Sequence, residues 1–163
     1  MLKMVTDING KYLTGAGIAM DARNSVSCET CHHGLAKPKT LRNALGGAID
    51  AKGADSAVAL YRELRTRYYG AAAYDFSENA LVNAANEANR TNNRSAALAL
   101  LKLNLEFYDK SAATYQSMAN IHLAGNDTAS AIDALKKAVA LQPNNQQLQG
   151  MLTRLGAKPP QTK

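Results

Sequence analysis

At 163 residues and 17.4 kDa, the chain is long enough for one domain or two small ones with a modest core. Alanine is abundant, aromatics make up only 6% and tryptophan is absent, which points to thin, closely packed helices. The net charge of +6 suits solubility or an acidic redox partner, while the scattered lysines and arginines, never interleaved with aromatics as a run, exclude nucleic-acid binding from the expectations.

Residues 1–14 read as a helix, with Leu2, Val5, Ile8, Tyr12 and Leu13 as its apolar stripe. Gly15-Ala16-Gly17 breaks it, and a polar loop from Asp21 to Ser27 leads to Cys28-Glu29-Thr30-Cys31-His32. This is C-x-x-C-H, the spacing that receives a c-type haem. Two thiols three residues apart can each add to a vinyl group of one porphyrin, and the following His is carried under the ring as proximal iron ligand. These are the only two cysteines in the sequence. A thioredoxin-like pair would want a strand-then-helix context that the flanks do not supply. A zinc site would need a second ligand pair at a distance, because adjacent His32 and His33 cannot both complete a tetrahedron with Cys28 and Cys31. The expectation is one haem c per chain, with Cys28 and Cys31 as thioethers and His32 on the iron. Met1, Met4 and Met20 are candidates for the sixth ligand, though core packing is the commoner use of methionine and spacing does not choose among the three.

Covalent haem attachment normally occurs outside the cytoplasm, so an extracytoplasmic location (periplasm or cell surface) is expected. Residues 1–22 lack an uninterrupted apolar core of a signal peptide, and no run of about twenty apolar residues occurs. An export signal or anchor is therefore expected upstream of this chain, and no transmembrane segment within it.

Past the motif, Lys37-Pro38-Lys39 reads as a turn, and Thr40 to Leu45 as a short helix ended by Gly46-Gly47. A firmer helix is predicted from about Asp55 to Tyr69. Asp55 or Ser56 caps it, Val58, Leu60, Tyr61, Leu64 and Tyr68 form its apolar face, and Gly70 stops it. Arg62, Arg65 and Arg67 read as a solvated face in preference to partners for haem propionates.

The run Met1-Leu2-Lys3-Met4 with Ile8-Asn9, then Val26-Ser27-Cys28-Glu29-Thr30-Cys31-His32-His33-Gly34 with Pro38 beyond, resembles the second haem segment of the cytochrome subunit bound to photosynthetic reaction centres. The strings Tyr61-Arg62-Glu63-Leu64-Arg65, Tyr68-Tyr69-Gly70 and Tyr74-Asp75-Phe76 resemble bacterial, often non-phototrophic, relatives of that subunit. The likeness covers about residues 1–76 and is most specific from Met1 to Gly34. It implies a methionine near the start of the preceding helix as axial ligand; the matching position is Met1, with Met4 one turn later as the alternate. The chain departs from the family in carrying one C-x-x-C-H where its members carry several. Gly15 or a neighbour stands where a His serves another haem, and His33 stands where Arg is usual. What the resemblance implies is a His/Met haem for electron transfer, and a further haem upstream if the chain is the tail of a longer protein; a role in photosynthesis is not implied.

The remainder repeats. Thirty-four residues separate Leu81 from Tyr115, Ala85 from Ala119, Ala97 from Ala131, Leu101 from Leu135 and Phe107 from Leu141. That period resembles two tetratricopeptide repeats, each a pair of antiparallel helices: 77–91 with 94–107, and 111–124 with 128–141. Asn92-Asn93 and Gly125-Asn126-Asp127 supply the turns, and Pro143 ends the second repeat. Asn144 is expected to cap a last helix at about 145–155 with Leu148, Met151, Leu152 and Leu155 on one side. Two repeats fall short of the three or so needed for stability, so the helix at 55–69 and the capping helix are expected to complete the stack and join it to the haem segment as one rigid body. His122 reads as a core or rim residue, and His33 as pointing away from the iron.

The expected fold is all-α, a small c-type haem segment packed on a short tetratricopeptide-type solenoid of helical hairpins. Its divisions are a haem segment at 1–50, a connecting helix at 51–76, two repeats with a cap at 77–157 and a mobile tail at 158–163. The expected function is electron transfer, not enzymatic catalysis, with helical repeats that dock a redox partner or a second copy. Three alternatives stand beside it. One is a haem enzyme or ligand sensor with an open sixth site, for which no distal His or Arg is placed. Another is an assembly protein whose repeats grasp a peptide. The third is a subunit of a polymeric multi-haem conduit.

Overall fold

The structure is a computed structural model that describes residues 2–18, 25–33 and 39–158. Met1, Met20, the loop from Asp21 to Asn24, the turn at Lys37-Pro38 and the tail from Pro159 onward lie outside the described residues. All regular structure among the described residues is helical, and none of those helices is long and apolar enough to cross a membrane.

The first helix, α1 (Leu2–Asp7), runs on into a wider π-helical stretch, Ile8–Leu13. Neither contains a buried residue. Gly17, at φ +77°, turns the chain where the glycines were expected to end the helix. After it comes the short α2 (Cys28–His32).

The next two helices correct the sequence reading. α3 (Leu41–Lys52) passes straight through Gly46 and Gly47, which were expected to end it. Leu41, Leu45 and Ile49 recur every fourth residue and bury one face of the helix. Burying three large side chains contributes more than the roughly 1 kcal/mol that each interior glycine costs. Gly53, at φ +83°, then reverses the chain and stands at the N-cap of α4 (Ala54–Tyr68). Only glycine takes that backbone without strain, and it displaces the cap assigned to Asp55 or Ser56.

Two further hairpins follow, α5 (Glu78–Arg90) with α6 (Arg94–Phe107), and α7 (Ala112–Ala124) with α8 (Thr128–Leu141). All four boundaries of the second hairpin lie 34 residues beyond those of the first. Equivalent side chains share their burial: Ala85 and Ala119, Ala97 and Ala131, and Leu101 and Leu135 are all fully enclosed. Small alanines let neighbouring helices approach, and the leucines fill the remaining space. Asn92 (φ 62°) and Asn126 (φ 59°) carry the left-handed positions of the turns.

α3 packs on both α4 and α5, α4 on α6, α6 on α7, and α5 on α7. The helices thus form three hairpins in a row, one more than the repeat pattern revealed. The reason lies in the connections. Residues 69–77, nine in number, join α4 to α5, whereas 108–111, four residues, join α6 to α7, so the first hairpin falls out of the 34-residue register. The longer connection is pinned: Tyr108 Oη donates to the Phe76 carbonyl (2.6 Å) and Arg65 Nη1 donates to the same oxygen (3.3 Å). α9 (Gln146–Arg154) closes the far end against α8, burying Leu148 and Leu152. Its cap is Asn145, not Asn144; the Asn145 side chain accepts from the amides of Gln147 and Leu148.

Two clusters make up the core, one around Leu45, Tyr61, Leu81 and Leu101, the other around Leu135, Leu148 and Leu152, and Met118 packs against both. Between α6 and α7 the buried Asn104 donates to the Glu78 carbonyl (3.0 Å) and to Thr114 Oγ1 (2.8 Å). The expected division at residue 50 falls within α3, so residues 41–50 of the expected haem segment belong to the stack. Among the described residues, the earlier elements make no extensive helix contact with it, and α1 packs on the π-helical stretch that follows it.

A Cβ added to Gly46 or Gly47 meets no atom within 4 Å. Gly46→Ala and Gly47→Ala are therefore each expected to raise stability by about 0.5–1 kcal/mol in urea denaturation. Leu45→Ala is expected to lower it by about 2–5 kcal/mol. Destabilisation by both alanines would mean that α3 does not run through this point.

Candidate haem-attachment site

The helix that bears the motif is five residues long and would not persist by itself. Local capping holds it. Ser27 is extended (φ −115°, ψ 174°), its Oγ accepts from the Thr30 amide (3.3 Å), and Thr30 Oγ1 accepts from the Ser27 amide (2.9 Å). This reciprocal pair satisfies two amides that a helix start leaves without partners. At the other end His33 takes the left-handed conformation (φ 46°), and its amide donates to the Glu29 carbonyl (2.8 Å). Glu29 lies in the first turn, where a negative charge complements the helix dipole.

Cys28 and Cys31 occupy the first and fourth positions of α2 and so share one side of it, with Cβ atoms about 5–6 Å apart as expected for residues three apart on a helix. Both thiols are exposed and are not joined as a disulfide. His32, next in the chain, is half-buried, while His33 is exposed. Among the described residues no three His, Cys, Asp or Glu side chains converge as a metal-ion ligand set.

The segment before the motif exposes apolar side chains among its polar ones. Leu2 (79% exposed), Tyr12 (62%), Met4 (49%) and Ile18 all face solvent. Each is an exposed large apolar side chain within the segment that precedes the motif. Two exposed thiols on one side of α2, with His32 next in the chain, are a donor set of the right chemistry for a covalently held haem. Of the sixth-ligand candidates, Met4 lies on α1, and Met1 and Met20 are outside the described residues. Asn9 ties this segment to the chain just ahead of the motif through two hydrogen bonds to the backbone of Val26.

The three arginines of α4 have distinct surroundings. Arg62 Nη2 donates to both carboxylate oxygens of Glu106 (2.9 and 2.8 Å), with both side chains about half exposed, so the pair contributes little. Arg67 lies over the Tyr68 ring at the exposed surface, as a solvated face implies. Arg65 departs from that reading: its guanidinium sits 4.3 Å from the rings of both Tyr69 and Phe107 and donates to Tyr61 Oη (3.2 Å). Burial pushes the Tyr61 hydroxyl above its ordinary pKa, opposed by the positive charge of Arg65. Arg62, Arg65, Thr66, Tyr69 and Phe107 line an open pocket of about 510 Å³.

His122 is a rim residue in α7, its Nδ1 3.2 Å from Asp127 Oδ2. No protein-family model matches the chain, and no curated protein matches it.

Two features escaped the sequence reading. The Ser27–Thr30 capping box had a signal, a hydroxyl pair at Ncap and N3 just before the motif. The Asn9–Val26 pairing had none, because its partners lie 17 positions apart and one is main chain.

Asp127 caps α8, its Oδ1 accepting from the Ser130 amide (3.0 Å), and hydrogen bonds from Ser130 hold its pKa below the ordinary carboxylate value. A lowered carboxylate pKa contributes stability that is present above about pH 4, the unfolded value, and is lost as pH falls through the folded one. Asp127→Ser keeps a capping oxygen but removes the titration. The melting temperature of the wild type is expected to fall more steeply below about pH 4 than that of the variant. Parallel acid curves would remove Asp127 from the acid response.

Proposed function

We propose that the chain is an electron-transfer c-type cytochrome, with one haem c bound through Cys28 and Cys31, His32 as proximal ligand and Met1 or Met4 as the sixth. The observation that carries this reading is the pair of exposed, unjoined thiols one turn apart on a capped helix with His32 as its next residue. Attachment adds each Sγ–H across a vinyl double bond: sulfur bonds one carbon, hydrogen the other, and nothing is expelled. When bound, the haem supplies one-electron exchange between ferrous and ferric iron.

The residues of the chain have separate tasks in this scheme. Cys28 and Cys31 fix the ring, and His32 presents an imidazole from the end of the same turn. A methionine thioether from α1 or just before it raises the potential. The exposed Leu2, Tyr12 and Ile18 supply apolar cover. The hairpin stack is read as a tetratricopeptide-type module, supported by the 34-residue offset of its boundaries. Its task is to dock a redox partner or a second copy, and the charge of +6 together with the arginine-lined pocket favours an acidic partner. Covalent attachment places the protein outside the cytoplasm.

Matured in an exporting host, the protein is expected to exceed its polypeptide mass by one haem. Its reduced-minus-oxidised spectrum is expected to be that of a low-spin c-type haem with a weak sulfur-to-iron band. Met1→Ala is expected to remove that band and open the sixth site; an unchanged band moves the assignment to Met4 or Met20. A high-spin ferric wild type that shifts with cyanide or peroxide would favour the enzyme or sensor reading. A colourless protein of bare polypeptide mass would overturn both.

A further inference from the structure

We infer that Asn9 is the positioning residue that holds the methionine-bearing helix in register with the Cys28–His32 turn. Its Nδ2 donates to the Val26 carbonyl (2.7 Å), and its Oδ1 accepts from the Val26 amide (2.8 Å). One side chain thereby engages both backbone groups of a residue two positions ahead of Cys28. The task needs a donor and an acceptor side by side, which an asparagine amide supplies and an aspartate does not.

The surroundings make this pairing decisive. Neither α1, the π-helical stretch nor α2 contains a fully buried residue, and only Val5, Ile8 and Leu13 among their apolar side chains are half-buried, so apolar packing gives their mutual placement limited support. Asn9 and Val26 are both half-buried in an otherwise largely exposed segment, which shields their two bonds from competing water. Asn9 also sits in the π-helical stretch, and its own carbonyl accepts from Thr14 Oγ1 (3.0 Å). Wide turns of this kind are rare and recur at functional sites. The inference rests on the His/Met haem reading: by closing the 17-residue span between positions 9 and 26, Asn9 removes freedom that ligation would otherwise have to remove.

The test compares wild type, Asn9→Ala and Asn9→Asp, each matured in an exporting host. Mass, the sulfur-to-iron band and titration with free imidazole as a competing sixth ligand are read together. Both variants are expected to keep the haem mass and the wild-type helical melt of the stack. Imidazole is expected to displace the methionine at about tenfold lower concentration in both, the loss of two modest hydrogen bonds. Aspartate, though the same size, keeps only the acceptor and sets a carboxylate against the Val26 carbonyl, so it is expected to behave as alanine does. Wild-type imidazole affinity in both variants would overturn the role of Asn9 while leaving the haem reading intact. A wild type without haem mass would overturn that reading itself. A wild type with haem but no sulfur-to-iron band would remove the methionine, and with it the inference.

Discussion

None of the helices from α3 to α9 is long enough to persist alone in water, and this constraint shapes the chain. Lengths of 9 to 15 residues leave each helix dependent on a neighbour to cover its apolar stripe. Alanine at the contact positions lets that neighbour come close, and the fully enclosed Leu45, Leu81, Leu100, Leu101 and Leu135 fill the space between. The contacts run mainly to the next helix or the next hairpin, so order in sequence becomes order in space. Three hairpins meet the minimum for a self-supporting array of this kind.

The N-terminal segment is built on other terms. Among the described residues its helices have no fully buried side chain, Val5, Ile8 and Leu13 being half-buried. Its ties to the motif are polar: the reciprocal pair at Ser27 and Thr30, the left-handed stop at His33 and the Asn9–Val26 bonds. Each such bond contributes on the order of 1 kcal/mol, far less than a buried leucine. Under the haem reading, this segment's apolar core is supplied by the bound ring.

The sequence made the later helices legible because their period is strict. The helices expected at 94–107 and 128–141 match the structure at both ends, and those at 77–91 and 111–124 match to within a residue. It failed at α3, where Gly46-Gly47 was weighed as local punctuation and the buried stripe of Leu41, Leu45 and Ile49 outweighed it. It failed again at Arg65, since a cation sandwiched by Tyr69 and Phe107 depends on two segments meeting in space. Cys28, Cys31 and His32 were legible as a candidate site because their chemistry is fixed by covalent spacing along the chain. The sixth position was not, because a ligand from elsewhere leaves no spacing rule to read.

Under the haem reading, the exposed Leu2, Met4, Tyr12 and Ile18 bear on the order in which the molecule matures. Until the ring is attached, these side chains stay open to water and to any other apolar surface that meets them. The hairpins are assembled from their own side chains and need no help. On that reading the thiols of Cys28 and Cys31 meet the ring from an exposed turn, while the hairpins are already covered by their own side chains.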